Sequence, residues 1–380
     1  MMRSTFSRRN LIKAMGAATL APVLPQLAAA GQDAPKPWWL GNGMPQESVT
    51  TPKIACAIDV RNGVADEAIR NVVQIGVCHV LSNGPAIPWA ANQLQPIVDK
   101  LKAGGVRLGN LMITGFPNVV YGRPGRDDEI DKIRQSIQAA GHVGLPVVEY
   151  NFYAHRAMEG YFEETGRGGA GLTGVDYERM KDLPPLPQEG AHALDEMWAN
   201  ISYFLKAVIP VAEKANVRLA LHPNDPPFPR SRGSQQIMAT VAGWKHLIEI
   251  VDSPANGITF DCGVTMEMGE DPVEVCRYFG SRDRINHMHY RNPHVTVPYL
   301  KYDEGFIDEG DVNMFAVMRE LIKLKYSREV YPEHPRAIDY DRERGSIRGY
   351  PGGGGYAGDL YDIAYAKAML QAALIVERTR

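Results

Sequence analysis

Eight short runs of β-branched and apolar residues, each followed by a longer stretch of other character, constrain this chain more than any other feature. The runs cover residues 54–60, 77–81, 107–113, 147–152, 218–222, 258–262, 285–291 and 329–333. Stretches with helical periodicity lie between them, at 129–140, 198–215, 235–251 and 313–324. Parallel strands need long crossover connections, and helices supply them. Eight strand–helix units therefore predict an α/β fold, a single-domain (β/α)₈ TIM barrel, over residues 51–380. The alternative is an open doubly wound sheet, but no GxGxxG follows the first run.

Two segments break the alternation. Residues 154–188 are rich in glycine, proline and charge, and residues 341–358 carry the cluster Gly352-Gly353-Gly354-Gly355. Each follows a strand candidate and is too long for an ordinary connection. Both are therefore expected as loop insertions at the C-terminal face of the barrel, where barrel enzymes place their chemistry.

The N-terminus reads as an address. Ser7-Arg8-Arg9-Asn10-Leu11-Ile12-Lys13 precedes an apolar stretch, then Ala28-Ala29-Ala30 and the polar Gly31-Gln32-Asp33. Basic, apolar and small-residue parts in that order make a secretory signal over residues 1–30, and the paired arginines make it resemble a twin-arginine one. That resemblance implies the twin-arginine export machinery as a partner and a periplasmic or otherwise exported location, with residues 31–50 as an extension before the barrel. Beyond this segment no apolar run approaches the ~20 residues that span a bilayer, so no stable membrane insertion is expected. A net charge of −3, with signs interspersed, excludes nucleic acid as an obvious partner. Four cysteines, Cys56, Cys78, Cys262 and Cys276, show neither CxxC nor zinc-finger spacing and form no evident disulfide framework.

The chemistry is written where the last four strands end. Leu219-Ala220-Leu221 runs into His222-Pro223-Asn224-Asp225, and Ile258-Thr259-Phe260 into Asp261-Cys262. Ile285 leads to His287-Met288-His289-Tyr290-Arg291, and Val330-Tyr331-Pro332 to Glu333-His334. Neighbouring strand ends of a barrel lie close enough to converge on one ion. A His₂-carboxylate₂ set suits Mn²⁺ or another borderline divalent ion (Co²⁺, Zn²⁺, Fe²⁺ or Mg²⁺) better than Ca²⁺. Alternation puts His287 and His289 on the same face, so both are candidates from the strand pattern alone.

These pieces resemble the mannonate dehydratase family within the xylose-isomerase-like barrels. The similarity rests on Glu149-Tyr150-Asn151-Phe152, His222-Pro223-Asn224-Asp225-Pro226-Pro227, His289-Tyr290-Arg291-Asn292, Phe306-Ile307-Asp308-Glu309-Gly310-Asp311-Val312 and Pro332-Glu333-His334. The resemblance implies an Mn²⁺ site of His, Cys, His and Asp. Carried across, the histidines fall on His222 and His289, the cysteine on Asp261 and the aspartate on Glu333, so two of the four ligands depart from the family pattern; a shifted register would use Cys262. It also implies His334 as acid/base and Tyr361 as a catalytic tyrosine, with Tyr356 competing for that place. Arg291 is expected to clamp the carboxylate of a sugar acid, and Asn151, Asn224 and Asp225 to bind its hydroxyls. Such barrels often assemble as homo-oligomers.

The implied reaction is dehydration of a sugar acid to a 2-keto-3-deoxy acid. Sugar isomerisation, epimerisation or keto-sugar lysis on the same barrel is the first alternative, because all begin by removing a proton beside a polarised oxygen. An exported sugar-binding protein without turnover is the second.

Overall fold

The computed structural model describes residues 45–345 and 349–378; the signal expected over 1–30 lies outside them. Eight parallel strands close into a barrel: β1 (Lys53–Ala57), β2 (His79–Asn83), β3 (Arg107–Ile113), β4 (Val147–Tyr150), β7 (Arg218–Leu221), β10 (Asn256–Asp261), β11 (Ile285–His289) and β14 (Glu329–Tyr331). Each neighbours its sequence-adjacent barrel strand, and β14 returns to pair with β1 through Lys53–Glu329 and Ile54–Val330. Each of the eight runs read from the sequence contributes one of these strands.

Helices form the outer wall for local reasons. In α5 (Leu194–Ala215) the residues Met197, Ile201, Phe204, Val208 and Ala212 recur every three or four positions and are all buried. This is the spacing of one helix face against a sheet. Asn216 ends the helix in the left-handed region at φ 54°, a role asparagine tolerates well. Thr240 accepts from Gly243 N at 3.0 Å to open α6 (Val241–Ile250), and Asn313 accepts from Ala316 N at 3.0 Å to open α9 (Met314–Lys323). No helix among the described residues is long and apolar enough to cross a membrane.

The insertion at 154–188 contains a structure the sequence did not announce. Strands β5 (Tyr161–Thr165) and β6 (Gly171–Asp176) form an antiparallel pair, and β13 (Lys301–Glu304) and β12 (Pro293–Val297) extend it into a four-stranded sheet. Register Glu304–Thr173 joins segments far apart in sequence. Tyr161 and Glu304 carry this sheet to the barrel mouth, through Tyr161 Oη donating to Asp225 at 3.3 Å and Glu304 accepting from His334.

A candidate metal centre at the barrel mouth

Strand register brings the polar strand ends together. Asp261 and His289 are the last residues of β10 and β11 and stand opposite one another, while His289 pairs with Tyr331, two residues before Glu333. His222 follows β7 directly. One ligand atom each from His222, Asp261, His289 and Glu333 lies within 4.8 Å of the others. His289 Nδ1 is 3.1 Å from His222 Nε2, 3.0 Å from Glu333 Oε1 and 3.9 Å from Asp261 Oδ2. These are the four residues that the resemblance selected.

Cys262 takes a different part. It is fully buried in the apolar wall, its Sγ donates to the Arg291 carbonyl at 3.4 Å, and burial, with Asp261 adding, pushes its thiol up. A neutral thiol turned into the wall is a poor ligand. Asp261 instead faces the cluster while its Oδ1 caps α7 (Cys262–Glu267) by accepting from Val264 N at 2.8 Å.

The electrostatics of the mouth fit a cation. Arg291 lies within ion-pair distance of five carboxylates: Asp261 at 3.0 Å, Glu333 at 3.3 Å, Asp225 and Glu304 at 3.4 Å, and Glu267 closer still. Arg336 adds a second guanidinium at Glu304, 3.0 Å away. Five buried carboxylates against two arginines leave an excess of negative charge, and uncompensated buried charge is costly. In the protein alone that excess is carried by protons: burial and neighbouring carboxylates push Glu267 well up, and burial pushes Asp261 up. Burial pulls the His289 imidazole down, but Glu333 and Glu149 outweigh it and hold it at about 9. A divalent ion among His222, Asp261, His289 and Glu333 would replace the protons on Asp261 and His289, and two imidazoles with two carboxylates are the donors such an ion uses.

Glu149 belongs to the resemblance but carries no role in it. It lies in the barrel core, where Asn110 Nδ2 donates to Oε2 at 2.8 Å and Thr259 Oγ1 to Oε1 at 2.7 Å. Its Oε1 is 3.4 Å from His289 Nε2. That contact orients the ring while Nδ1 faces the four-residue cluster. Glu149, His287 and His289 form a second converging group, and Asp225, Glu304 and His334 a third.

The cluster opens into a cavity of about 390 Å³ lined among others by Asn151, Tyr153, Arg156, Asp225 and His334. His334 Nδ1 donates to Glu304 Oε2 at 2.8 Å, and its Nε2 stands 3.7 Å from Glu333. His334 also holds φ at 53°, a left-handed conformation unusual for a side-chain-bearing residue and concentrated at functional sites. Asn151 Oδ1 and Asp225 Oδ2 are buried without a hydrogen-bond partner.

Four candidate site residues lie elsewhere. Arg291 does not line the cavity, because its guanidinium is spent on the carboxylates beneath it. Asn224 bonds Gln236 and the Met238 amide, so its side chain holds its own loop. Tyr361 is 41% exposed, accepts from Arg167 at 3.0 Å and stands edge-on to Phe306, away from the cavity. Tyr356 is likewise exposed and outside it.

Comparison with known proteins points the same way as the strand ends. The mannonate dehydratase of Enterococcus faecalis is 29% identical over 324 residues, 73% of this chain and 88% of its own. Those of Streptococcus equi subsp. zooepidemicus and Thermotoga maritima are each 28% identical, covering 67% of this chain and 77% and 80% of theirs. In structure, the mannonate dehydratase of Streptococcus suis superposes with a TM-score of 0.75 at 23% identity, covering 86% of this chain and 96% of its own. An L-ribulose 3-epimerase shares the fold at a TM-score of 0.56 and 13% identity, covering 87% and 98%. The family model described as D-mannonate dehydratase (UxuA) matches residues 162–379, more than half of the sequence, and the chain belongs to that family.

Proposed function

We propose that this chain is a metal-dependent hydro-lyase that removes water from a sugar acid of the mannonate type to give a 2-keto-3-deoxy acid. The observation that carries the reading is the convergence of His222, Asp261, His289 and Glu333 on one point of a polar cavity, in a chain of the D-mannonate dehydratase family. When bound there, a divalent ion supplies Lewis-acid stabilisation of charge developing on substrate oxygen. Mn²⁺ is our choice for it, from the mixed nitrogen and oxygen donors.

The protein's own groups do the rest. His334 faces the cavity with Nε2 while Glu304 holds its Nδ1 proton, so one nitrogen is fixed as donor to the protein and the other serves substrate. A base at that position takes the proton beside the carboxylate or returns one to the departing hydroxyl, a contribution of roughly 10²–10⁴-fold. Asn151 Oδ1, buried without a hydrogen-bond donor, is an acceptor for a substrate hydroxyl, and Asp225, beside Arg291 and Tyr161, lines the same cavity. The lid sheet delivers Glu304, and with it the orientation of His334.

Asp261 and Glu333, standing where the family resemblance expects cysteine and aspartate, favour one second reading. The all-oxygen pair makes the donor set harder and suits isomerisation or epimerisation on the same scaffold. One experiment separates the two. The metal-stripped chain is reloaded with Mn²⁺ and offered D-mannonate, other aldonates, aldoses and ketoses in D₂O, with products identified by NMR. A 2-keto-3-deoxy product supports dehydration; deuterium entering an aldose or ketose without loss of water replaces it with the second reading.

We further propose that residues 1–30 direct export through the twin-arginine route. The ordered basic, apolar and small-residue segments support this. Arg8→Lys with Arg9→Lys is expected to retain the chain in the cytoplasm, and unchanged periplasmic recovery rejects the proposal.

A further inference from the structure

The cavity that receives a sugar acid must hold its carboxylate, and the arginine the sequence offered for that task is buried away from it. The cations of the wall can be taken in turn. Arg61 lines the cavity but is forked onto Asp59, its Nε at 3.0 Å and its Nη2 at 2.9 Å. Arg336 is fully buried among Glu304, Thr173 and the His334 carbonyl, and Arg291 among its carboxylates. No lysine among the described residues lines the cavity. Arg156 lines it, its side chain remains accessible, and no carboxylate stands within ion-pair distance of it among the described residues.

The surroundings of Arg156 suit an incoming anion. Its neighbours are the phenols of Tyr153 and Tyr161 and, further off, the carboxylate of Asp225, and a guanidinium stays protonated in such surroundings. Asp225 already has Arg291 at 3.4 Å and accepts from Tyr161 at 3.3 Å, so it is served by other groups. The rest of the wall is acidic, with Asp59, Glu149, Asp225 and Glu333 facing the same space. An anion entering that wall is repelled unless a cation meets it, and a guanidinium presents a planar fork that matches a carboxylate.

We propose that Arg156 is the specificity-determining residue that anchors the substrate carboxylate and makes the cavity select sugar acids over neutral sugars. This rests on the sugar-acid reading above and names the group that enforces it. The glycine-rich insertion thus contributes a substrate contact as well as a cover. Asn151 Oδ1 remains to receive a hydroxyl proton further along the bound chain.

The test is calorimetric binding of D-gluconate and of its neutral counterpart sorbitol to the Mn²⁺-loaded chain, with Arg156→Gln and Arg156→Lys beside the wild type and metal content measured for each. The wild type is expected to prefer gluconate. Arg156→Gln should weaken gluconate by at least about 30-fold and leave sorbitol unchanged, the range for losing one partner of a desolvated charge pair. Arg156→Lys keeps the charge without the fork and should fall between them; it decides the matter if the glutamine variant does not fold or loads no metal. Gluconate binding within about threefold of wild type in the deciding variant overturns the role of Arg156 while the sugar-acid reading stands. A wild type that does not prefer gluconate overturns the sugar-acid reading itself, and the anchor with it.

Discussion

The two ends of this barrel bury charge in opposite ways. At the mouth, five carboxylates, two arginines and several imidazoles converge, and each carboxylate faces a cation or ring nitrogen at ion-pair distance. At the floor, Glu329 is buried with both carboxylate oxygens lacking a hydrogen-bond partner, packed so tightly over Gly109 that a Cβ there would lie 1.9 Å from Oε1. Burial pushes its carboxyl well above the usual range, despite the opposing pull of Arg107. One end holds charges in tension around a space that fits an ion. The other neutralises a lone carboxyl by keeping its proton. The difference teaches that buried charge marks a site when it converges and is shared, and marks packing when it stands alone.

The comparison breaks most visibly at the ligands. Asp261→Ala is expected to abolish stoichiometric metal binding and lower turnover of the sugar acid by about 10³-fold or more, as loss of Lewis-acid stabilisation requires. Retained metal and turnover would remove the mouth's claim to be a metal centre. His334→Gln should keep the metal, read by elemental analysis, and lower kcat by roughly 10²–10⁴-fold. Glu304→Gln reaches the substrate through His334, and a loss of about 10–100-fold is expected, in kcat more than in KM. An equal loss in both variants would make Glu304 more than a positioning residue.

The floor variants should leave turnover alone and move stability. Glu329 is raised in the fold, so the native state keeps a proton that the unfolded chain releases above its ordinary value of 4.5. Stability therefore falls as pH rises beyond that value. Glu329→Gln, which mimics the protonated form, should raise the melting temperature at pH 8 by roughly 2–4 °C for each kcal/mol recovered and change little at pH 4. A lower melting temperature at pH 8 would show that the charged form is held after all.

His79 gives the smallest effect. Burial, then Lys53 and Arg107, lower its imidazole from 6.5 to about 4. The unfolded chain thus binds a proton that the fold refuses between those values, and stability is lost as pH falls from 6.5 towards 4. Denaturant midpoints of His79→Gln should be flatter across that window than those of wild type. An unchanged slope would take His79 out of the floor's electrostatics.

Much of the barrel and of the mouth was legible in the sequence, and the reasons are local. His222, Asp261, His289 and Glu333 all stand where a strand candidate gives way to polar residues, so the strand pattern carried them to the same rim, and the family resemblance chose His289 over His287. Other features depended on partners remote in sequence. Glu304 sits on a strand whose mate is β6, across Glu304–Thr173, and no local pattern couples those two. Arg156 lies in a glycine- and charge-rich insertion, where composition suggests a loop and hides which side chain turns inward. Arg291 has the right residue type and position for a clamp, yet only packing shows Asp261, Glu267 and Glu333 closing around it. Tyr361, which the resemblance implies as a catalytic tyrosine, follows the Gly352–Gly355 cluster, and the fold sets it beside Arg167 instead.

The most direct test of the central claim is a titration of the metal-stripped chain with Mn²⁺ while following both bound metal and conversion of D-mannonate. The account predicts that 2-keto-3-deoxy product appears in proportion to metal bound and saturates at one ion per chain. Conversion by the fully stripped chain, or one bound ion per chain with no dehydration of any sugar acid offered, would contradict it.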